Sequence, residues 1–246
     1  MYAKFKISQE EVLKLIIDTS CRYAQELTPN NYQELMLNAF KTNEGEVIDG
    51  SKFQEFNFPT LLANQYDIFI SHSHLDYDEA KYLATYLYRE KGLRCFIDSE
   101  VWNNVEDLVS KVANHLKCST IKEYYNIVKN VNMMLSMALM QMIDKIECCI
   151  FLETKRSVIN PRSFITETYS PWLYEEIGIM NVIRQQNLSR RHTYSVLEFA
   201  TDSFKPIYAL DLSRFLPLAA DELQQQEYYG VNWLDWLYKK NSMQLG

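Results

Sequence analysis

Residues 147–153, ECCIFLE, form an almost unbroken apolar run between two glutamates. A strand with one wet face alternates apolar and polar positions, so a run apolar in both phases of the pleat must be covered on both sides. Two shorter runs have the same character, YDIFIS at 66–71 and LRCFID at 93–98. Helical patterning lies between them. DEAKYLATYLYRE follows the first run and sets Ala80, Leu83, Ala84 and Leu87 on one face. VEDLVSKVANHL follows the second, and the methionine-rich NVNMMLSMALMQMIDK, apolar over most of its circumference, precedes ECCIFLE. SPWLYEEIGIM at 170–180 opens the next helix, with Ser170 as its cap and Pro171 in its first turn. KPIYALDL at 205–212 reads as a later strand and VNWLDWLYKK as a closing helix. Strands alternating with helices predict an α/β fold, a central parallel sheet with helices on both faces.

The first sixty residues have a different texture. SQEEVLKLIIDTSCRYAQEL reads as an amphipathic helix capped by Ser8, and TPNNYQELMLNAF as a second, with Thr28 as cap and Pro29 in its first turn. NEGEVIDGSK then supplies turn chemistry. The expected division is a helical N-terminal extension over 1–62 and an α/β domain over 63–246. A net charge of −7 without a basic stripe argues against nucleic acid as a partner. MMLSMALMQMI is too short and too interrupted to cross a bilayer, and the acidic SQEE breaks any signal-peptide pattern. Five cysteines without Cys-x-x-Cys spacing read as small buried hydrophobes. A cytoplasmic, reduced protein with no membrane partner is expected.

Neither a dinucleotide-binding GxGxxG nor a P-loop occurs, and no GxSxG elbow. Attention therefore falls on the carboxyl ends of the strands, where open parallel sheets bind ligands. SHSHLD leaves the first strand, SEVWNN the second, and the loop into SPWLYEE the third. On a wheel of about 100° per residue, Glu176 lands inside the apolar arc of Trp172, Leu173, Ile177, Ile179, Met180 and Ile183. Glu175 points off the edge of that arc, towards the surface. If the first and third strands are neighbours, Glu176 and SHSHLD meet in one crevice. His72 and His74 with Asp76 have spacing conceivable for a metal. A polar strand-to-helix loop, with Asp76 favoured by the dipole of the following helix, is the plainer reading, and no metal is expected.

These same segments carry a family likeness. YDIFISHSHLD resembles the first strand and following loop of TIR (Toll/interleukin-1 receptor) domains. LRCFIDSEVWNNVEDLVSKV resembles their second strand, BB loop and second helix, and SPWLYEEI is similar to their Ser-x-Trp-x-x-x-Glu segment. The likeness covers roughly residues 64–212 and is strongest to the bacterial branch. It implies a flavodoxin-like sheet of order 2-1-3-4-5. It also implies one of two activities. Many TIR domains cleave NAD at the nicotinamide–ribose bond, giving ADP-ribose or a cyclic or base-exchanged relative, in bacteria as part of anti-phage defence. Others are non-enzymatic adaptors that only assemble.

In the enzymatic reading NAD is the substrate and no separate cofactor is needed. The family's required acid falls on Glu176. Nicotinamide is already a cationic leaving group, and its departure leaves oxocarbenium-like charge on the ribose that a fixed carboxylate stabilises. Ser71, His72, Ser73, His74, Asp76, Asp98, Trp102 and Trp172 are the candidate substrate-binding residues. Alternatives stand beside several of them. Trp172 either stacks on a ring or locks its helix to the sheet; His72, Ser73 and His74 either bind ribose or phosphate or form a solvated loop. Trp102 is a lid aromatic, an assembly contact or a packed helix residue. The implied partners are further copies of the chain, meeting through the BB segment, and an effector or phage-derived trigger.

Overall fold

The structure, a computed structural model, describes residues 3–15, 50–102, 105–159, 166–183 and 208–242. Seven strands occur among them: β1 (Ala3–Ser8), β2 (Ile68–Ser71), β3 (Cys95–Phe96), β4 (Cys148–Glu153), β5 (Thr166–Thr168), β6 (Tyr208–Leu210) and β7 (Leu216–Pro217). Five build a central, wholly parallel sheet in the order β3-β2-β4-β1-β7. The first three runs read from the sequence therefore lie as expected, with YDIFIS between LRCFID and ECCIFLE. Beyond ECCIFLE the expected order 2-1-3-4-5 is replaced. The place next to β4 belongs to β1, whose six residues pair in register from Ala3↔Cys148 to Ser8↔Glu153.

A strand at 3–8 corrects the reading of the N-terminus as a purely helical extension. Ala3, Phe5 and Ile7 alternate with Lys4, Lys6 and Ser8, the period of a strand. Ser8 does cap a helix, α1 (Gln9–Val12), its hydroxyl accepting from the Glu11 amide. The helix expected over TPNNYQELMLNAF and most of the preceding one lie outside the described residues. KPIYALDL does hold a strand, but not one of the main sheet. Its described part, β6, pairs antiparallel with β5 in a separate two-stranded ribbon, and the two-residue β7 takes the edge of the main sheet.

The remaining helices are α2 (Gly50–Asn57), α3 (Tyr77–Lys91), α4 (Asp98–Val101), α5 (Val105–His115), α6 (Ile121–Lys145), α7 (Pro171–Val182), α8 (Ala220–Gln224) and α9 (Val231–Ser242). The methionine-rich helix α6 starts well before the segment predicted for it. Thr120 and Glu123 close a capping box that turns the polar 121–130 stretch into its first turns. It is also one-sided, burying Ile127, Val131, Leu135, Ala138, Leu139, Met142 and Ile143 while Met133 is exposed.

The two phases of the central strands feed two cores. Phe69, Phe96, Cys149 and Phe151 pack with α5, α6 and α7; Phe5, Ile7, Ile68, Ile70, Ile150 and Leu152 pack with α3, α8 and α9. This explains why ECCIFLE is apolar in both phases. Among the described residues, no helix is long and apolar enough to cross a membrane.

The second core closes around one tight turn. Helix α3 ends at Gly92, whose φ of +66° returns the chain towards β3. The Tyr229 ring lies over this glycine, and the Gly230 amide donates to the Lys91 carbonyl at 2.7 Å. Lys91 is itself buried, its ammonium donating to the Gln225 carbonyl and sitting 5.6 Å from the centre of the Trp233 ring. We expect Gly92→Ala to cost about 1–2 kcal/mol for the left-handed backbone alone, read from urea or thermal melts. A tyrosine ring displaced by the new methyl would add to it, so Tyr229→Ala should recover only part of the loss.

Candidate functional site

Helix α7 is held at both ends. Ser170 accepts from the Leu173 amide at 3.2 Å, and its own amide donates to Thr168 Oγ1 at 3.1 Å, tying the helix start to the β5–β6 ribbon. At the other end Lys4 of β1 reaches across the sheet and donates to the Met180 carbonyl at 3.1 Å and to Asn181 Oδ1 at 2.5 Å. Burial, with Arg214 adding, brings the Lys4 ammonium down to about 8. Between these anchors Leu173, Ile177 and Met180 enter the core, and Trp172, Ile179 and Ile183 pack at its margin. The apolar arc of the wheel is thus the buried face, and Glu176 is carried into it, 1% exposed.

Its carboxyl meets the carboxyl ends of the strands. Ser71, the last residue of β2 and wholly buried, donates from Oγ to Glu176 Oε2 at 2.5 Å. Asp98, at the exit of β3, accepts from Trp172 Nε1 at 3.0 Å, so a bond from the first turn of α7 closes over the start of α4. His72 follows Ser71 and is 3% exposed, with Nδ1 3.3 Å from the Ile70 carbonyl and 3.9 Å from Asp98 Oδ1. Five of the nine candidates, Ser71, His72, Asp98, Trp172 and Glu176, therefore form one cluster. The chain leaves β2 for β3 on one side and then crosses to β4 on the other side of β2. The cluster thus sits where strand order reverses, the place where such sheets bind ligands.

The other four sit elsewhere. Ser73 is half-buried and His74 exposed in the loop that follows, where His74 keeps an edge-on ring contact with His72 at 6.5 Å between centroids. Asp76 is wholly buried at the start of α3, accepting from Thr154 Oγ1 at 2.6 Å and from Arg156 Nη1 at 3.0 Å. Trp102 is packed, buried between Phe58 and Phe96 and edge-on to both, which matches the packed alternative. Among the described residues, no group of three His, Cys, Asp or Glu is arranged to hold a metal.

The electrostatics of the cluster centre on one proton. Burial pushes Glu176 well above the usual carboxylate range, and Asp98 pushes it further; the Ser71 hydroxyl and Trp172 indole oppose this. Moving a carboxylate out of water costs several kcal/mol after relaxation. A hydrogen bond to a charged group returns about 1.5–3 kcal/mol, and the Asp98 carboxyl adds to the penalty on the charged form, so the Glu176 proton is held more tightly than on an ordinary glutamate. Glu175 is corrected as well. It is half-buried, raised by burial and opposed by the Ser136 hydroxyl of α6, a neighbour no single-helix wheel contains. Cys149, which pairs with both Lys4 and Phe69 across the sheet, is held as a thiol, burial and the Glu176 carboxyl pushing it up to about 12. Lys4 and Cys149 are invisible to sequence reasoning because their place depends on register.

Compared with protein-family models, with curated proteins and with solved structures, the chain matches none.

A raised carboxyl has a definite effect on stability. The folded state holds the Glu176 proton where the unfolded chain has released it, so stability falls as pH rises from the ordinary glutamate range towards the folded value. Glu176→Gln keeps an acceptor for Ser71 and removes that dependence. Melting temperatures should match wild type at low pH and exceed it increasingly towards neutrality. A variant less stable than wild type at neutral pH would mean that the carboxyl is ionised and paired.

Proposed function

We propose that the chain cleaves NAD at the nicotinamide–ribose bond, with Glu176 as the catalytic carboxylate. The observation that carries this reading is a buried carboxyl at the carboxyl ends of two adjacent parallel strands, hydrogen-bonded to Ser71 and facing Asp98. The TIR likeness supplies the reaction, and the neighbouring of β3, β2 and β4 agrees with the first three places of the sheet it implies. The N-terminal strand beside β4 is a departure from that pattern.

At rest the site is closed and the Glu176 proton is held more tightly than on a free glutamate. A nicotinamide ribosyl cation entering beside it favours release of that proton to solvent as the site opens, since a nearby positive charge stabilises the ionised form. The carboxylate then faces the ribose as the bond to nicotinamide breaks and the bonding pair leaves with the neutral base. Charge developing on the sugar is stabilised in a dry site by a group already in place. Entry requires the Trp172–Asp98 bond to open. Because Asp98 begins the segment that resembles the BB loop, contact with a second copy of the chain there is the event that would open it. The product, ADP-ribose or a cyclic or base-exchanged relative, would serve as a signal or reflect NAD depletion in anti-phage defence.

The 1% exposure of Glu176 favours a second reading, a non-enzymatic assembly module in which the acid only ties α7 to β2. Nicotinamide release from NAD, followed by chromatography with and without a crowding agent, separates the two. The enzymatic reading expects release by wild type and a loss of about 10²-fold or more in Glu176→Gln, the usual cost of removing a preorganised electrostatic group. Unchanged release in folded Glu176→Gln would overturn the assignment of Glu176, and no release in any assembly state would favour the module.

A further inference from the structure

Every polar group in the cluster is committed except one. Ser71 gives its proton to Glu176, and Asp98 accepts the Trp172 indole proton. The His72 ring has a partner on one edge only. A carbonyl can only accept, so the Ile70 oxygen 3.3 Å from Nδ1 fixes the tautomer with its proton on Nδ1. Nε2 therefore carries a lone pair. It is buried, and no described residue hydrogen-bonds to it. A buried polar atom without a partner calls for an explanation, and a catalytic role is one such explanation. Asp98 Oδ1 lies 3.9 Å from the same Nδ1, so its charge would stabilise an imidazolium once Nε2, on the opposite edge, took a proton. An oriented imidazole with a free lone pair, backed by a carboxylate, is the arrangement of a general base.

We propose that His72 is the base that activates the attacking water, acting through Nε2. This rests on the NAD-cleaving reading and goes further, by separating the group that supports bond breaking from the group that supports capture by water. In the capture step the water oxygen bonds to the anomeric carbon that nicotinamide has left with its electron pair. The proton the water loses passes to Nε2 and later to solvent. A nucleophile with no proton to lose, such as the ring nitrogen of a pyridine, needs no such base.

The test therefore compares two fates of the same intermediate. Wild type, His72→Asn and His72→Gln are incubated with NAD and an excess of 3-acetylpyridine, and ADP-ribose and the base-exchanged dinucleotide are quantified together. Asn keeps a donor near the Nδ1 position and Gln an amide near Nε2; neither can take up a proton. Melting curves identify which variant is folded. The ratio of hydrolysis to exchange should fall by about 10²-fold, within the usual contribution of general-base catalysis; substrate binding and bond breaking are common to both fates and cancel in that ratio. A ratio unchanged from wild type, or exchange and hydrolysis falling together, would overturn the role of His72 and leave the cleavage reading standing. No nicotinamide release or exchange from wild type would remove the cleavage reading itself.

Discussion

The short hydrogen bond from Ser71 to Glu176 joins the end of β2 to the second turn of α7, and the arrangement of the site depends on it. Two buried carboxyls in this fold show why it matters. Asp76 lies at the start of a helix, with Thr154 and the Arg156 guanidinium on its two oxygens. Its charge is met, and its role is to fasten the loop after β2 to the turn after β4. Glu176 has a hydroxyl, an indole and a second carboxyl around it, and no cation among the described residues pairs with it. Burial outweighs what those partners return, so one acid is a fastener and the other holds its proton more tightly than an ordinary glutamate.

Helix α7 can carry such a group only because its position is fixed from outside the cluster. The β5–β6 ribbon holds its start and Lys4 its end. That lysine comes from the N-terminal strand, so the segment next to β4 in the sheet also determines where Glu176 sits. Its own burial, which lowers its affinity for a proton, is opposed by Cys149 and Asp211, and its ammonium sits at the C-terminal end of a helix, where positive charge is favoured.

Much of this is legible in the sequence where a local pattern is sufficient. ECCIFLE, apolar in both phases, requires covers on both faces, and helical spacing alone puts Glu176 of SPWLYEEIGIM in the buried arc. The signal for β1 is also present, as the alternation of Ala3, Phe5 and Ile7, but the helix start at Ser8 masks it. Sheet order beyond the third run is not legible. A two-residue strand at 216–217 carries no pattern, and the apolar Tyr208–Leu210 fits a ribbon as well as a sheet. Pairings between distant segments are hidden for the same reason: Arg156 with Asp76, Lys4 with Met180 and Ser136 with Glu175 join residues that only tertiary packing brings together.

The proposed reaction has Glu176 protonated at rest and ionised once a cationic ribosyl group binds. Infrared difference spectroscopy of wild type against Glu176→Gln, at neutral pH with and without a non-hydrolysable NAD analogue, reads that proton directly. A protonated carboxyl band present in the free protein and lost at saturating analogue is the predicted result. A carboxylate already ionised in the free protein, or a protonated band untouched by bound analogue, would contradict it.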